Sequence, residues 1–173
     1  MNELTTIHLC QADYANPVHM HAVLTLLDGY ARDPAGGGEP LSEHALAHLP
    51  AALRARPTMF SVLAFDSPAQ QQALGLVNCV EGFSTFACQP LVNIHDVVVA
   101  PGWRGRRIGE RMLALVEQLA LARGACKLTL EVLQGNASAQ ALYRRAGFDN
   151  YQLDPALGSA QFLQKWLPGA LGH

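Results

Sequence analysis

The sequence predicts an α/β protein in which helices flank a mixed β-sheet. Two observations lead to this class. Short apolar runs rich in Val, Ile and Leu alternate with segments whose apolar residues recur at helical spacing. The order of these segments is strands first, then strand–helix–strand–helix–strand. Strands joined by a helix pair in parallel, whereas strands joined by a short turn pair antiparallel. We therefore expect one parallel pair, between the strands around Val97 and Leu130.

The first third of the chain predicts one strand and two helices. Residues 5–9 are expected to form a short strand, and residues 17–30 carry apolar side chains at helical spacing. Residues 33–40 include three consecutive glycines and have the composition of a loop. Ser42 is the expected N-cap of a second helix that continues to about Arg54.

The rest of the chain predicts most of the sheet and two more helices. Residues 58–65 and 73–83 are expected to be strands that pair antiparallel, because a short turn joins them. The later segments are, in order, a central strand at 91–100, a helix from Ile108 that ends near Gly124, a strand at 128–133, a helix at 138–146, and two last strands at 151–153 and 161–167. Nothing divides the chain, so we expect residues 1–173 to form one domain.

Composition restricts the function classes. Hydrophobic residues make up 50% of the chain and charged residues 15%, as in compact globular proteins. The net charge of −2 argues against a nucleic-acid-binding protein. The first residues do not resemble a signal peptide, and no apolar run approaches the roughly 20 residues that span a bilayer, so we expect a cytoplasmic protein without membrane contact. The cysteines form no C-x-x-C pair and are expected to be reduced and packed; they are Cys10, Cys79, Cys88 and Cys126.

The most informative segment runs from Val97 to Gly109 and reads V-V-V-A-P-G-W-R-G-R-R-I-G. A strand ends, a basic glycine-containing loop follows, and a helix begins. The first turn of a helix offers unpaired N–H groups and the positive end of its dipole, which suit an anion. The glycines allow the backbone to approach a ligand closely. The expected ligand is a pyrophosphate, although the loop matches neither the Walker A nor the Rossmann motif.

The same segment resembles a known family. R-G-R-R-I-G at residues 104–109 is similar to the R/Q-x-x-G-x-G/A acetyl-CoA loop of the GCN5-related N-acetyltransferases. Asn136 and A-L-Y-R-R-A-G-F at residues 141–148 are similar to a second block of that family. The clear resemblance covers roughly residues 93–149. It implies a mostly antiparallel central sheet with a splayed parallel strand pair, and acetyl-CoA as the cofactor.

The resemblance also assigns cofactor contacts. The backbone of Val97, Val98 and Val99 would pair with the pantetheine and the thioester carbonyl, where an N–H stabilises negative charge. Asn136 would contact the cofactor or hold the splayed strand, or is only a turn residue. This chain has Arg107 where the family usually has glycine, so the side chain either crowds the phosphates or adds a charge to them. The pyrophosphate contacts would come from Arg104, Gly105, Arg106, Arg107, Ile108 and Gly109.

Four residues are candidates for the reacting end of the site. Tyr143 matches the family's tyrosine near the cofactor sulfur, where it would protonate the departing thiolate or donate a hydrogen bond to it; otherwise it is a packing residue. His95 and Asp96 are expected on opposite faces of their strand, with His95 as a candidate base and Asp96 as an acceptor-binding residue. Glu81, on the preceding strand, is a candidate for either role.

The resemblance implies an acceptor as well. The segment before Val97 is similar to the diamine (spermidine/spermine) acetyltransferase branch, which carries adjacent acidic residues where this chain has His95 and Asp96. Asp33 and Glu39 lie in the loop where the family shapes its acceptor pocket, and their carboxylates would suit a cationic amine. We therefore expect metal-independent transfer of acetyl to a primary amine of a small molecule. A protein or peptide acceptor and a non-catalytic acyl-CoA-binding module stay open. The resemblance implies a homodimer.

Overall fold

The computed structural model describes residues 7–152, 154, 156, 158 and 160–169. In these residues five strands form a sheet in which spatial order follows chain order. The first four strands pair antiparallel, and the fifth pairs parallel with the fourth. The predicted α/β fold, a mixed, mostly antiparallel sheet flanked by helices, is confirmed. The elements are β1 (His8–Gln11), α1 (Pro17–Ala31), α2 (Glu43–Arg54), β2 (Met59–Phe65), β3 (Ala73–Ser84), β4 (Gln89–Val99), α3 (Ile108–Ala122), β5 (Leu128–Leu130) and α4 (Ala137–Arg145).

The helices α1 and α2 begin where the sequence predicts. Pro17 occupies the first position of α1, where a missing N–H costs nothing, and the side chain of Asn16 accepts a hydrogen bond from the Val18 N–H at 2.8 Å. Ser42 caps α2 by accepting from the Ala45 N–H at 3.1 Å. The loop between the two helices spans residues 32–42, slightly longer than the predicted 33–40, and contains a short 3₁₀ turn at Pro34–Gly36.

The sheet carries an apolar core on each face. On one face, buried side chains such as Val77 pack against α3 residues such as Met112. On the other face, Leu76 and its neighbours pack against α1 and α2 through residues such as Val23. The face on which a strand residue lies therefore decides which helices it meets.

The strands β4 and β5 stay together over only a short distance. They pair at three positions, the last of which joins Ile94 to Leu130. Strand β4 continues to Val99, whereas β5 ends at Leu130. Beyond Ile94, no strand among the described residues lies beside this edge of β4. The splayed parallel pair is thus confirmed, and the opening between the two strands leads to the site described below.

A β-bulge at His95 changes the faces presented by the end of β4. Cys79 pairs with Ile94 and Asn78 pairs with Asp96, so His95 is the extra residue. In a regular strand Ile94 and Asp96 would share a face. Here Ile94 belongs to the core beside α3, whereas Asp96 accepts a hydrogen bond from Asn78 on the α1 side. The expectation that His95 and Asp96 lie on opposite faces assumed regular alternation, which the bulge interrupts.

Four strand predictions need correction. The first strand spans His8–Gln11 and leaves out Ile7, and residues 5 and 6 of the predicted strand lie outside the described residues. Strand β5 ends at Leu130 rather than at residue 133. Residues 151, 152 and 161–167 form no strand, and Leu153 lies outside the described residues. Phe162 and Leu163 of the last segment are exposed. An apolar run forms a strand only where a partner strand pairs with it, and the structure describes no such partner here.

Cysteine packing differs from the prediction at two positions. Cys79 is buried and Cys10 is half-buried, whereas Cys88 and Cys126 are exposed. Cys88 lies in the turn between β3 and β4, and Cys126 lies between α3 and β5, so neither belongs to a core-facing element. All four are free thiols. Within the described ranges, no helix combines the length and the apolar character needed to cross a membrane.

Candidate active site

A cavity of about 900 Å³ opens where β4 and β5 separate. Its walls are the end of β4, the loop before α3, the first turn of α3, and α4, and the loop after α1 closes one side. This volume is typical of small-molecule sites. All predicted cofactor-binding residues except Arg106 line the cavity, as does Asp33 from the predicted acceptor loop.

The loop before α3 has the backbone conformation of an anion site. Gly105 has a φ of 78° and Arg107 a φ of 59°, both in the left-handed region. A Cβ at Gly105 would meet no atom within 4 Å, so glycine is favoured there by backbone conformation and not by lack of space. These two left-handed residues direct the chain into α3, which begins at Ile108. The unpaired N–H groups of the first turn of α3 lie at the cavity wall.

Arg107 replaces the glycine that the family usually has, and its left-handed conformation gives the physical reason for that glycine. A residue with a Cβ adopts this conformation only at a cost. The side chain is 80% exposed and its guanidinium donates to Glu110, three residues further on in α3. The geometry therefore favours an added positive charge at the cavity wall over crowding of the phosphates.

Glu110 is a residue of the site that the sequence analysis missed. Its carboxylate accepts hydrogen bonds from Arg107 and, at 2.7 Å, from Arg145 of α4. These two guanidinium groups hold the pKa of Glu110 below its usual range. Two cations around one anion leave a net positive charge, and the cluster joins α4 to α3. The i, i+3 spacing of Arg107 and Glu110 was a usable signal, but the contact with Arg145 depends on the tertiary packing.

The other two arginines of the loop have different partners. Arg104 Nε donates to the Val99 carbonyl at 3.2 Å, and one of its terminal nitrogens donates to the Asp33 carboxylate at 3.0 Å. Arg106 lies outside the cavity wall, with its guanidinium 4.6 Å from the centre of the Trp103 ring, a cation–π contact. Arg104 is thus part of the site, whereas the structure does not bring Arg106 into it.

Gly109 permits close packing between two helices. A Cβ at this position would lie 2.9 Å from the side chain of Leu142 on α4. From the sequence, Gly109 is expected to let the backbone approach a ligand. The structure shows that its missing Cβ lets α4 approach α3, which also positions Tyr143, the residue after Leu142.

Tyr143 lies in the cavity wall, and its ring meets Phe148 edge-on with the centroids 6.0 Å apart. Burial, with a smaller effect from Tyr30, raises the pKa of Tyr143 to about 12. The hydroxyl is therefore protonated at neutral pH. A thiol has a pKa near 8.5, so full transfer of the phenol proton to a thiolate would be unfavourable. Of the two predicted catalytic roles, the structure favours hydrogen-bond donation.

Asn136 is the N-cap of α4. Its Oδ1 accepts from the Ala139 N–H and from the Ser138 hydroxyl, each at 3.1 Å. The same residue lines the cavity. The cap explains the residue structurally, and its contact with a cofactor stays a prediction.

The acidic residues predicted for the acceptor are not gathered in one place. Asp33 lines the cavity, and hydrogen bonds from the Ala35 N–H and from Arg104 hold its pKa below the usual range. Glu39 is exposed in the same loop and lies outside the cavity wall. Glu81 lies 3.7 Å from Arg123, just after the end of α3, whereas the cavity adjoins the start of that helix. The structure does not bring Glu39 or Glu81 to the cavity.

His95 and Asp96 directly precede Val97, where β4 enters the cavity wall, but neither of them lines the cavity. His95 is exposed and Asp96 is half-buried. After burial itself, the charge of Asp96 is the next cause that raises the pKa of Tyr30, a residue of the cavity wall. The Asp96 carboxylate is thus close enough to affect Tyr30, and a role of His95 as a base stays a prediction.

The chemistry of the cavity fits an elongated ligand with an anionic end. Arg104, Arg107, Arg145 and the start of α3 concentrate positive charge at one end. Tyr143 and the valine segment of β4 line the same cavity, and the outer edge of that segment offers N–H and C=O groups without a strand partner among the described residues. This division fits acetyl-CoA, with its pyrophosphate at the loop and its thioester beside β4.

Two curated relatives match parts of the chain. Streptothricin acetyltransferase of Streptomyces lavendulae is 40% identical over 88 residues, which are 49% of this chain and 47% of that protein. Thialysine N-epsilon-acetyltransferase of Bos taurus is 36% identical over 56 residues, which are 32% of this chain and 33% of that protein. The match thus spans less than half the length of either relative.

Solved structures with a similar fold cover almost the whole chain. An aminoglycoside acetyltransferase from an uncultured soil metagenomic sample, in complex with sisomicin, has a TM-score of 0.71 at 12% identity and covers 93% of this chain and 95% of its own. A GNAT family acetyltransferase from Staphylococcus aureus has a TM-score of 0.66 at 15% identity and covers 92% of this chain and 98% of its own. At these identities the similarity shows the fold.

The family itself is shown by a match to a family model. The model of the acetyltransferase (GNAT) family matches residues 23–148, which include the loop before α3, the whole of β4 and β5, and the Tyr143 helix. Because this match covers well over half of the sequence, the chain belongs to the acetyltransferase (GNAT) family.

Proposed function

We propose that the protein transfers the acetyl group of acetyl-CoA to a primary amine of a small cationic molecule, by direct attack in a ternary complex. The observation that carries this proposal is the cavity between the separated strands, which is basic at the α3 loop and is also lined by Tyr143 and the valine segment of β4. The names of two similar proteins give streptothricin and an aminoglycoside as what they acetylate, which supports a small-molecule acceptor.

The cofactor side of the site follows from the cavity wall. Acetyl-CoA supplies the activated acetyl group. Arg104, Arg107 and the N–H groups at the start of α3 hold the pyrophosphate. The free edge of β4 at residues 97–99 pairs with the pantetheine, and a backbone N–H there stabilises negative charge on the thioester carbonyl. The Tyr143 hydroxyl donates a hydrogen bond to the departing sulfur.

The acceptor side must draw an ammonium and remove its proton, because a primary amine has a pKa of about 10.4. The carboxylates that line the cavity, Asp33 and Glu110, are both paired with arginines at the phosphate end. Asp96, which directly precedes the valine segment of β4, is therefore the proposed partner of the ammonium, and Asp33 attracts the cation only at longer range. His95 stays the proposed base. Glu81 is not part of the proposal, because Arg123 offsets its charge away from the cavity.

Finer assignments belong to the same proposal. Asn136 would contact the cofactor in addition to capping α4. Membership of the diamine branch of the family and a homodimer are proposed on the resemblance described above. A cytoplasmic location stays a prediction from the sequence pattern.

An acceptor screen tests the proposal. Thiol release from acetyl-CoA is followed with small diamines, aminoglycosides, and peptides that offer a free N-terminus or a lysine. We expect thiol release with small cationic amines. Tyr151 is exposed and lies outside the cavity wall, so the Tyr151→Phe variant should release thiol as the wild type does and serves as the control. Release with peptides alone contradicts a small acceptor. Acetyl-CoA binding without release for any amine indicates a binding module and contradicts the enzyme.

A further inference from the structure

Four polar side chains form a continuous hydrogen-bonded chain across the α1 side of the sheet. Tyr14, just before α1, has its Oη 2.7 Å from Ser61 Oγ on β2. Ser61 Oγ donates to Asn78 Oδ1 on β3 at 2.6 Å. Asn78 Nδ2 donates to Asp96 Oδ2 on β4 at 2.9 Å. The register explains the contacts, because Ser61 lies directly opposite Asn78 and Asn78 directly opposite Asp96.

This hydrogen-bonded chain has one direction. A carboxylate only accepts, so the Asn78 amide must turn its nitrogen towards Asp96 and its oxygen towards Ser61. Ser61 has one proton, which it gives to Asn78, so it must accept from the Tyr14 hydroxyl. Every donor therefore points along the chain towards Asp96, and successive hydrogen bonds of this kind polarise one another.

The middle of the chain is buried where apolar residues would pack at least as well. Ser61 is 0% exposed and Asn78 is 5% exposed. Both lie on the sheet face whose core is formed by Leu63, Leu76 and other apolar side chains. A buried polar group stabilises a fold little even when it is hydrogen-bonded. The arrangement is therefore better explained by the group at its end, the Asp96 carboxylate, than by stability.

Asp96 is placed to act on the cavity. Because of the bulge at His95, the side chain of Asp96 lies opposite Asn78 instead of in the core beside α3. It directly precedes Val97 of the cavity wall, and its charge is felt by Tyr30 of the same wall. Asp96 Oδ2 is occupied by Asn78, whereas no described residue donates a hydrogen bond to Oδ1.

We propose that Tyr14, Ser61 and Asn78 are positioning residues that hold the Asp96 carboxylate so that its free oxygen receives the ammonium of the acceptor. This inference rests on the proposed function, since it supplies the amine-binding step of that reaction. Tyr14 contacts Ser61 on β2, two strands away from Asp96 on β4. It then influences amine affinity although it touches neither substrate. No bond is made or broken by these three residues.

The test is a double-variant cycle read by binding. Calorimetry measures the affinity of 1,4-diaminobutane for the CoA-saturated protein in the wild type, Tyr14→Phe, Asp96→Asn and the double variant. We expect Tyr14→Phe to weaken amine binding about threefold to tenfold, the effect of one hydrogen bond, with CoA affinity unchanged. In the Asp96→Asn background Tyr14→Phe should have no further effect. Ser61→Ala should repeat the pattern if one variant fails to fold.

Several outcomes overturn the inference. Equal effects of Tyr14→Phe in both backgrounds mean that Tyr14 acts through packing and not through Asp96. Unchanged amine affinity in Tyr14→Phe or in Asp96→Asn, or no measurable amine binding by the wild type, contradicts it as well. The binding cycle needs no turnover, so its result does not depend on whether the protein is an enzyme. Amine binding without thiol release would refute the proposed enzyme, and the cycle would still test whether Tyr14 acts through Asp96.

Discussion

Replacing Tyr143 with phenylalanine should lower kcat much more than acetyl-CoA affinity. The substitution keeps the ring that meets Phe148 and removes only the hydroxyl. With a pKa of about 12, this hydroxyl keeps its proton, and in the proposed reaction it would donate a hydrogen bond to the departing sulfur. A hydrogen bond to a charged group contributes about 1.5–3 kcal/mol. Each 1.36 kcal/mol is a factor of about ten, so kcat should fall about 10- to 150-fold. General acid catalysis contributes about 10²- to 10⁴-fold, so a fall well beyond about 150-fold would indicate proton transfer instead.

The assay is steady-state thiol release at saturating acetyl-CoA and amine, measured across neutral and alkaline pH, with Tyr151→Phe as the matched control. Because the pKa of Tyr143 is about 12, its titration should cause no decline of kcat in the wild type below about pH 11. A kcat within about twofold of the wild type would remove Tyr143 from the mechanism. An alkaline decline near pH 9 that disappears in Tyr143→Phe would show that the hydroxyl titrates far lower than its burial implies.

Three further predictions concern the cavity wall. Glu110→Gln should destabilise the protein at neutral pH. This difference in unfolding free energy should begin to fall near the unfolded pKa of about 4.5 and vanish only once the pH is below the lowered pKa of the folded state. Denaturant unfolding at several pH values measures it, and a difference independent of pH contradicts it. Gly109→Ala should not give the gain of about 1 kcal/mol that alanine normally brings to a helix, because its Cβ would meet Leu142, so a melting temperature raised by that full gain would be evidence against tight packing. Asp33→Asn should tighten acetyl-CoA binding because it releases Arg104; calorimetry that shows weaker binding would argue against competition for Arg104.

Features set by neighbouring residues were predictable from the sequence. The Ser42 cap and the Pro17 start depend on contacts within one helical turn, and α4 ends just before Gly147, whose φ of 88° suits glycine. The loop before α3 was recognisable for the same reason, since Gly105 and the arginines are adjacent in the chain. Strand order followed from the order of the segments, because short turns favour antiparallel pairing.

Features set by distant residues were not predictable. The bulge at His95 arises from the register between β3 and β4, and it decides that Asp96 meets Asn78. The pairing of Glu81 with Arg123 joins β3 to the end of α3, so a carboxylate that looked available in the sequence has its charge offset. The pattern of residues along the chain contains no information on such contacts. These contacts nevertheless decide which acidic side chains remain for the acceptor.

The separate roles of the loop arginines follow from the same kind of contact. In the sequence Arg104 and Arg106 are equivalent basic residues on either side of Gly105. In the fold, Arg104 reaches across the cavity to Asp33, whereas Arg106 lies over the ring of Trp103. The two residues should therefore contribute unequally to cofactor binding.

The central claim is that acetyl-CoA binds with its pyrophosphate at the loop before α3, and calorimetric titration of acetyl-CoA into Arg104→Glu tests it most directly. Arg106→Glu, the same charge change two residues away and outside the cavity wall, is the matched control. Loss of a charge-assisted contact should weaken binding by Arg104→Glu about tenfold or more, and Arg106→Glu should have a clearly smaller effect. Wild-type affinity in a folded Arg104→Glu variant would contradict the claim.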